Sequence, residues 1–349
     1  MRRTIFYSIV AQHENLGDFV IRRVVADWIT RSNATVYVKA IGMPDRWIEG
    51  FQDLENVIII RSKRAWLRAV GKATVLSRPS IVLAPGPQQL SGELSPMRRQ
   101  VAVLAWSALV RMRGGEVVKV GRSYPGSSRR AVRLERWQAS LSTFYSVRDS
   151  ASASTIGSDR VVVHPDVAMY WHPCTSSTGT RRLVAFSLRD GQPQDKETVL
   201  ELVRTVRSAG LEPLFVSQVS TDTSWNREMS VLLSCEFVNL ADDRDPRQLL
   251  AHSQKTYSRC AATITNRLHV ALLGLACGCV PIAYGAVGRD KVLPCLELFY
   301  GPAEVVSTSS AARLLAALPM EGQDRDVARR ARLRLDDIAA AIGDRLREV

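Results

Sequence analysis

Short runs of β-branched and aromatic residues alternate with amphipathic helical patterns along the whole chain. This alternation predicts repeated βαβ units, in which parallel strands are covered by helices. In the first half, strands are predicted at 4–10, 35–39, 57–60, 81–84, 117–120, 144–147 and 161–163. In the second half, they are predicted at 183–187, 214–217, 237–239, 263–265 and 281–284.

Amphipathic helices are predicted between the strands. The clearest covers 18–30, where Ile21, Val24, Val25, Trp28 and Ile29 share one face at helical spacing. Further helices are predicted over 196–208 and 268–277, and a long charged helix over 324–347 closes the chain. The pattern thus predicts helices and strands from one end of the chain to the other.

The stretch 171–180 is polar, small and rich in helix breakers, which is typical of a linker. We therefore predict an α/β protein with two doubly wound domains, residues 1–172 and 173–349. A length of 349 residues agrees with this, since a domain has about 100–200 residues. Two such domains in tandem are expected to form a ligand cleft between them, at the carboxyl ends of their strands.

Charge is distributed unevenly along the chain. The net charge is +13, and the residues up to 172 contain 25 basic and 13 acidic side chains, so nearly all of the excess lies in the first half. A basic half joined to a neutral half predicts that one of them faces an anionic partner. Nucleic acid is disfavoured, because the sequence has neither a basic recognition helix nor a basic strand with interleaved aromatics.

The six cysteines all follow residue 172 and have none of the paired spacings of a zinc site. No metal is therefore expected, and free thiols in a reducing compartment are favoured over disulfides. The apolar run 5–11 is too short for a signal peptide, and the longest apolar run, 101–110, has about half the length of a membrane span. We expect a cytoplasmic protein, with attachment to a membrane surface left open.

The strongest candidate site is the predicted turn from strand to helix within 263–274. Asn266 would cap a helix that is apolar on nearly every side. Arg267 and His269 would then lie in its first turn, where unpaired N–H groups and the helix dipole attract anions. This favours an oxyanion or phosphate site. The alternative is that Arg267 pairs with a neighbouring acid and that His269 is a hydrogen-bonded core histidine.

A second candidate is Arg189, which directly follows the apolar strand predicted at 183–187. A strand-terminal arginine facing the cleft would bind a carboxylate or phosphate through two parallel hydrogen bonds. The alternative is a surface ion pair with Asp190 or Asp195.

A third candidate lies between the first strand and the first helix, where the sequence reads Asn15, Leu16, Gly17 and Asp18. This position is again the carboxyl end of a strand. The alternatives are that Asp18 is only a favourable acid at a helix N-terminus and that Gly17 only permits a turn.

Five segments, in this order, resemble the polysaccharide pyruvyl transferase family. They are 15–18 (Asn-Leu-Gly-Asp), 146–150 (Ser-Val-Arg-Asp-Ser), 164–168 (His-Pro-Asp-Val-Ala), 186–189 (Phe-Ser-Leu-Arg) and 266–269 (Asn-Arg-Leu-His), the last followed by Gly-Cys-Val-Pro-Ile at 278–282. The resemblance implies two Rossmann-like domains in a GT-B-like arrangement. It also implies transfer of the enolpyruvyl group of phosphoenolpyruvate to a sugar, which leaves a pyruvate ketal.

The resemblance implies that the second domain holds phosphoenolpyruvate. Arg189, Arg267 and Lys291 would supply cations for its carboxylate and phosphate, and the Leu268 N–H would add a donor. Phosphoenolpyruvate is then a co-substrate, and no cofactor is expected. His269, as an imidazolium, would protonate the methylene carbon.

The first domain would then face the acceptor. We expect Asn15 and Gly17 on the acceptor side and Asp18 as the base that activates a sugar hydroxyl. The sequence departs from the family at 84–89, which reads Ala-Pro-Gly-Pro-Gln-Gln instead of a glycine-rich turn, and this bears on the acceptor side. It departs again at 288–291, where the lysine of the family's Tyr-x-x-Lys is present without the tyrosine, and this bears on one wall of the donor pocket.

The predicted acceptor is a sugar of a cell-envelope or extracellular polysaccharide, or its lipid-linked precursor. Alternatives are a GT-B glycosyltransferase that uses a nucleotide sugar, and a non-catalytic glycan- or membrane-binding protein with the same fold. The segments 61–68 and 97–113 mix basic and apolar residues, which suits an anionic membrane surface at the inner face of the cell membrane. For 97–113 the alternative is a core helix with solvated basic ends.

Overall fold

The computed structural model describes residues 3–126, 128–171, 181–190, 196–241, 245–285, 292–300 and 323–347. The strands are β1 (Thr4–Ser8), β2 (Thr35–Lys39), β3 (Val57–Ile60), β4 (Pro79–Leu83), β5 (Gly86–Pro87), β6 (Val117–Ser123), β7 (Phe144–Val147), β8 (Val162–Val163), β9 (Leu183–Ser187), β10 (Glu212–Ser217), β11 (Glu236–Asn239), β12 (Cys260–Thr265) and β13 (Val280–Ala283). The predicted strands all occur within three residues of these bounds.

The helices in the described residues are α1 (Leu16–Thr30), α2 (Asp45–Glu49), α3 (Lys63–Leu76), α4 (Leu94–Met112), α5 (Arg129–Leu141), α6 (Ser150–Ile156), α7 (Lys196–Ser208), α8 (Thr223–Leu232), α9 (Pro246–Tyr257), α10 (Leu268–Ala276), α11 (Leu293–Tyr300) and α12 (Gln323–Arg347). Short 3₁₀ turns occur at Val167–Tyr170 and Ser220–Asp222. The predicted linker falls almost wholly at 172–180, which lies outside the described residues.

The strands form two sheets in which every pairing is parallel. The first has the order β3-β2-β1-β4-β6-β7-β8, with β5 paired to β6, and the second has the order β11-β10-β9-β12-β13. In both sheets the order reverses next to a central strand, as in Rossmann-like folds. The predicted α/β fold with two Rossmann-like units is therefore confirmed.

The chain divides into two compact units. The first contains Met1–His13, Asp18–Val167 and Arg334–Val349, and the second contains Glu14–Gly17 and Ala168–Leu333. The helix that closes the chain thus contributes its last turns to the first unit. Among the described residues, no helix combines the length and the apolar character that a bilayer crossing requires.

Both sheets are buried on their two faces, as expected for parallel strands covered by helices. In β1, Ile5, Phe6 and Tyr7 are each at most 1% exposed although they point to alternate faces. In the second unit, Phe186 of β9 stacks on Phe215 of β10, with ring centroids 5.3 Å apart. Each sheet is therefore covered by apolar side chains that the helical and strand patterns bring together.

A buried charged network lies in the first unit, between β6, β7 and α5. Lys119 of β6 and Glu135 of α5 form an ion pair in which both side chains are buried. The hydroxyls of Tyr124 and Tyr145 donate to Glu135 Oε1 at 3.0 and 2.7 Å, and Gln100 Nε2 of α4 donates to its Oε2 at 2.9 Å. Glu135 therefore joins two strands and two helices.

Candidate functional site

The turn between β12 and α10 forms the centre of the candidate site. Every residue of α10 is buried except His269, which is partly exposed. The helix lies close to β12 because position 274 is glycine: a Cβ there would come within 2.6 Å of Thr263 Cγ2. A buried helix of this kind holds its first turn, and therefore His269, in a fixed position.

The predicted cap of this helix is corrected by the structure. Arg267, not Asn266, is the residue that precedes the first helical turn, and its backbone is extended (φ −107°, ψ 116°). The Arg267 N–H donates to Thr265 Oγ1 at 2.9 Å. Asn266 has a different role, because its Oδ1 accepts a hydrogen bond from the Arg189 N–H at 2.8 Å.

The Arg267 guanidinium forms an ion pair with Asp222, in the 3₁₀ turn after β10. Its Nε and Nη2 donate to the two carboxylate oxygens at 2.6 and 2.5 Å, and the Asp222 side chain is 1% exposed. The pairing with an acid that the sequence left open is therefore present. Arginine has donors on a second edge, and Arg267 Nη1 makes no hydrogen bond to the described residues. A paired Arg267 thus keeps a donor for an anion.

Arg189 is held at the end of β9 by backbone contacts on both sides. The Leu188 N–H donates to Asn226 Oδ1 at 3.1 Å, Asn226 Nδ2 donates back to the Leu188 carbonyl at 2.8 Å, and the Asp190 N–H donates to Asp222 Oδ1 at 3.1 Å. Burial, and then the positive charge of Arg267, lower the pKa of the Arg189 guanidinium. Arg189 and Arg267 thus place two positive charges near each other and near Asp222, and a bound anion would lower their repulsion.

The segment Glu14–Gly17 packs against the same site, within the second unit. A Cβ at position 17 would overlap the His269 ring, and even the His269 Cβ would be only 2.5 Å away. Asn15 Oδ1 accepts the Gly17 N–H at 3.1 Å, and Ser220 Oγ donates to Glu14 Oε2 at 2.7 Å. The segment that contains two predicted acceptor-side residues, Asn15 and Gly17, therefore lies beside His269, the predicted general acid.

Asp18, the remaining predicted acceptor-side residue, belongs to the first unit. It lies in the first turn of α1, where Arg22 Nη1 donates to its Oδ1 at 3.0 Å. Gly86 lies nearby at φ +104°, and a Cβ there would be 4.0 Å from Asp18 Oδ1. Lys291, the third predicted donor-binding cation, lies outside the described residues.

Two of the five segments that carry the family resemblance form a buried cluster in the first unit. Arg148 and Asp166 form an ion pair at 2.7 Å, and His164 Nε2 lies 2.5 Å from Ser146 Oγ. Asp149 Oδ1 accepts the Ser152 N–H at 2.7 Å and so caps α6. Burial lowers the pKa of His164. These side chains link the ends of β7 and β8.

No group of three or more His, Cys, Asp or Glu side chains that could hold a metal ion occurs in the part of the chain that the structure describes. The charged groups of the site are instead arginines and carboxylates. The arrangement of Arg189, Arg267 and the first turn of α10 can bind an anion with two negatively charged groups, and it presents one imidazole beside that anion.

Comparison with known proteins identifies the family of the chain. Residues 15–285 match the polysaccharide pyruvyl transferase family. The chain belongs to this family. The match begins at Asn15 and includes all five segments that carry the resemblance. No curated protein matches the chain.

The solved structures that resemble this chain are distant in sequence. Anabaena Alr3699/HepE in complex with UDP has a TM-score of 0.60 at 11% identity, with 100% of both chains covered. Arabidopsis thaliana UGT89C1 in complex with UDP-L-rhamnose has 0.55 at 10%, with 99% of both covered. Medicago truncatula UGT71G1 in complex with UDP-glucose has 0.53 at 9%, with 98% of both covered. At these identities the likeness shows the fold, which is GT-B-like.

Two residues of the candidate site were not predicted from the sequence. Asp222 fixes the Arg267 guanidinium, and Asn226 fixes the backbone next to Arg189. The predicted strand at 214–217 ends a few residues before Asp222, so the rule that functional residues follow strand ends would have found the acid. Nothing in the local sequence marks Asn226, whose partner lies 38 residues away.

Proposed function

We propose that this pyruvyl transferase moves the enolpyruvyl group of phosphoenolpyruvate to a sugar and closes a pyruvate ketal on it. The proposal rests on one observation: Arg267, the Leu268 N–H and His269 lie together at the amino end of the buried helix α10. Arg189 adds a second guanidinium within the field of the first. Family membership supports the reaction class.

Phosphoenolpyruvate carries a carboxylate and a phosphate close together, so its binding site needs several fixed donors. In the proposed complex, Arg189 and the Nη1 edge of Arg267 bind these two groups, and the Leu268 N–H at the helix start adds a donor. Asp222 keeps Arg267 in one orientation, because it accepts from both Nε and Nη2. Lys291 is proposed as a third cation on the donor.

The reaction needs a proton on the methylene carbon, which makes C2 electrophilic. We assign this proton to His269 in its imidazolium form, since it lies in the first turn of α10, next to Leu268. One sugar hydroxyl then bonds to C2, the C2–O bond to phosphate breaks, and a second hydroxyl bonds to C2. Of the two hydroxyl protons, one balances the proton given to the methyl group and the other leaves with inorganic phosphate.

The acceptor end of the reaction is assigned to Asp18, which would accept the proton of an attacking hydroxyl. Arg22 holds this carboxylate in one orientation. We propose that the acceptor is a sugar of a cell-envelope or extracellular polysaccharide, or its lipid-linked precursor. We propose a cytoplasmic location at the inner face of the cell membrane.

Substitutions at the helix start test the assignment of acid and donor-binding residue. His269→Ala should lower turnover by about 10²–10⁴-fold while the variant still binds phosphoenolpyruvate, because general acid catalysis contributes that much. Arg267→Gln should instead weaken phosphoenolpyruvate binding by about 10–100-fold, because it removes a charge-assisted hydrogen bond. Calorimetric titration of purified protein with phosphoenolpyruvate measures binding. Mass spectrometry of cell-envelope glycans, in cells that carry only the variant, measures transfer.

Arg204→Gln is the matched control, since Arg204 is an exposed arginine of α7 in the same unit. It should leave both measurements unchanged. Glycans that stay fully pyruvylated in His269→Ala cells would show that His269 is not the acid. Unchanged phosphoenolpyruvate affinity in Arg267→Gln would show that this arginine does not bind the donor.

A further inference from the structure

Helices α3 and α4 lie side by side on one face of the first sheet. Trp66 of α3 and Trp106 of α4 meet edge to face with ring centroids 6.3 Å apart, and both rings pack on Phe6 of β1. At the other end, Arg113 Nη2 donates to the Val75 carbonyl of α3 at 2.9 Å. The outer sides of the two helices therefore form one continuous surface, which we call the α3–α4 face.

The α3–α4 face is strongly basic. Residues 61–113 contain ten Lys or Arg and a single acid, Glu93. The cations of the two helices are all exposed: Lys63, Arg64, Arg68, Lys72, Arg98, Arg99 and Arg111. Arg111 has an ion pair with Glu116, and the other six have none with a residue that the structure describes. The positive charge of this face is therefore not neutralised by the protein.

The same face exposes large aliphatic side chains. On α3 these are Leu67, Val75 and Leu76, and on α4 they are Leu94, Val101, Leu109 and Met112, with exposed fractions from 38% to 76%. These seven are half of the fourteen large hydrophobic side chains that the described residues expose, although the two helices are a small part of the chain. Such a concentration indicates a contact surface.

Charge and apolar side chains together identify the partner. A phosphate backbone would neutralise the cations but offers nothing to the aliphatic side chains, and the tryptophans of this face are turned toward Phe6 rather than toward bases. A second copy of the same face would repel the first, because neither helix contains an acid. Anionic headgroups above acyl chains match both features.

We propose that the α3–α4 face docks the protein onto the surface of a bilayer that contains anionic lipid. The cations lie at the headgroups, and the aliphatic side chains enter the region between headgroups and acyl chains. Docking would bring the first unit to lipid-linked or membrane-bound sugars. It does not depend on the identity of the donor, so its failure and the failure of pyruvyl transfer are separate outcomes.

Co-sedimentation of the full-length protein with vesicles tests the docking. Vesicles of phosphatidylcholine are compared with vesicles that also contain phosphatidylglycerol, at low and at high salt. We expect binding only to the anionic vesicles, weakened by salt. Arg64→Gln/Arg68→Gln and Arg98→Gln/Arg99→Gln should each weaken binding by about 25-fold, since each surface cation contributes about fivefold (~1 kcal/mol).

Matched controls separate the face from the general charge of the protein. Arg204→Gln/Lys255→Gln removes two exposed cations from the second unit and should leave binding nearly unchanged. Leu94→Ser/Met112→Ser should weaken binding, whereas Val231→Ser/Leu232→Ser, two exposed positions of α8, should not. Equal recovery with neutral and anionic vesicles, or equal losses in the paired variants, would overturn the proposal. So would no vesicle binding at all, which would favour an acidic protein as the partner.

Discussion

Gly17 shows how one small residue positions a reactive one. The His269 ring occupies the space in which a side chain at position 17 would lie, so that the backbone of the segment Glu14–Gly17 contacts the imidazole directly. Asn15 stabilises this backbone by accepting the Gly17 N–H. At this scale, glycine is required for close approach, since its backbone angle is not in the left-handed region.

Gly17→Ala is therefore expected to displace the imidazole. Turnover should fall by about 10²-fold or more, since a shift of about 1 Å at a reacting group has an effect of that size. Affinity for phosphoenolpyruvate should change little, because both guanidiniums remain. Transfer and calorimetric binding of the purified variant measure the two effects. Gly71→Ala is the control: its Cβ would meet open space within α3, so we expect a gain in stability of about 0.5–1 kcal/mol and unchanged turnover.

Individual site residues could be predicted only where the local sequence marks them. Arg267 and His269 stand out because charged side chains begin an otherwise apolar helix. Their partners do not stand out. Asp222 lies 45 residues from Arg267 in the sequence, and only the folding of the sheet brings the two side chains together. The contact between Gly17 and His269 joins two segments that lie far apart in the sequence, so no local hydrophobic pattern predicts it.

At the scale of elements, the strands were predictable because buried parallel strands appear as short apolar runs between helical patterns. The two-residue strand β5 was not, since it has no such run. The cap of α10 was predicted one residue early. Asn266 is a favourable cap by residue type, but its side-chain oxygen accepts a hydrogen bond from the Arg189 backbone N–H instead.

The buried network of β6, β7 and α5 makes a prediction at this scale. Burial would raise the pKa of Glu135, but the Lys119 ammonium and the hydrogen bonds to the carboxylate overcome it and lower that pKa to about 2. The pKa of Glu135 is thus lower in the folded protein than its unfolded value of 4.5. The ionised carboxylate therefore stabilises the fold fully above about pH 4.5, and this stabilisation is lost as the pH falls toward 2. The difference between the two pKa values corresponds to about 3 kcal/mol in the free energy of unfolding.

Glu135→Gln should therefore destabilise the protein by about 3–5 kcal/mol at pH 7, because it leaves the Lys119 ammonium buried without its counter-charge. Urea unfolding of both proteins between pH 7 and pH 3 measures this, and the gap between them should narrow as the pH falls. The double variant Lys119→Met/Glu135→Leu should recover most of the loss, since it removes both charges. A gap that does not depend on pH would contradict the assigned pKa.

For the whole molecule, each unit buries its own core around its own sheet, and the candidate anion site with Arg189, Arg267 and His269 lies within the second unit. The division of the chain into two α/β units follows from the alternation of patterns. The contribution of the last helix to the first unit depends on contacts between residues more than 300 positions apart, such as the bond from Arg3 Nη1 to the Arg345 carbonyl. Local sequence patterns cannot encode such contacts.

Phosphoenolpyruvate should therefore stabilise the second unit against unfolding. Phosphoenolpyruvate at 100 times its Kd should contribute about 2.7 kcal/mol, which raises Tm by about 5–10 °C for a unit of this size. Arg267→Gln should lose most of this shift at the same concentration, and Arg204→Gln should keep it. UDP should have no effect. A shift with UDP and none with phosphoenolpyruvate would instead favour a glycosyltransferase that uses a nucleotide sugar, and a shift with neither would favour a glycan-binding protein without this catalysis.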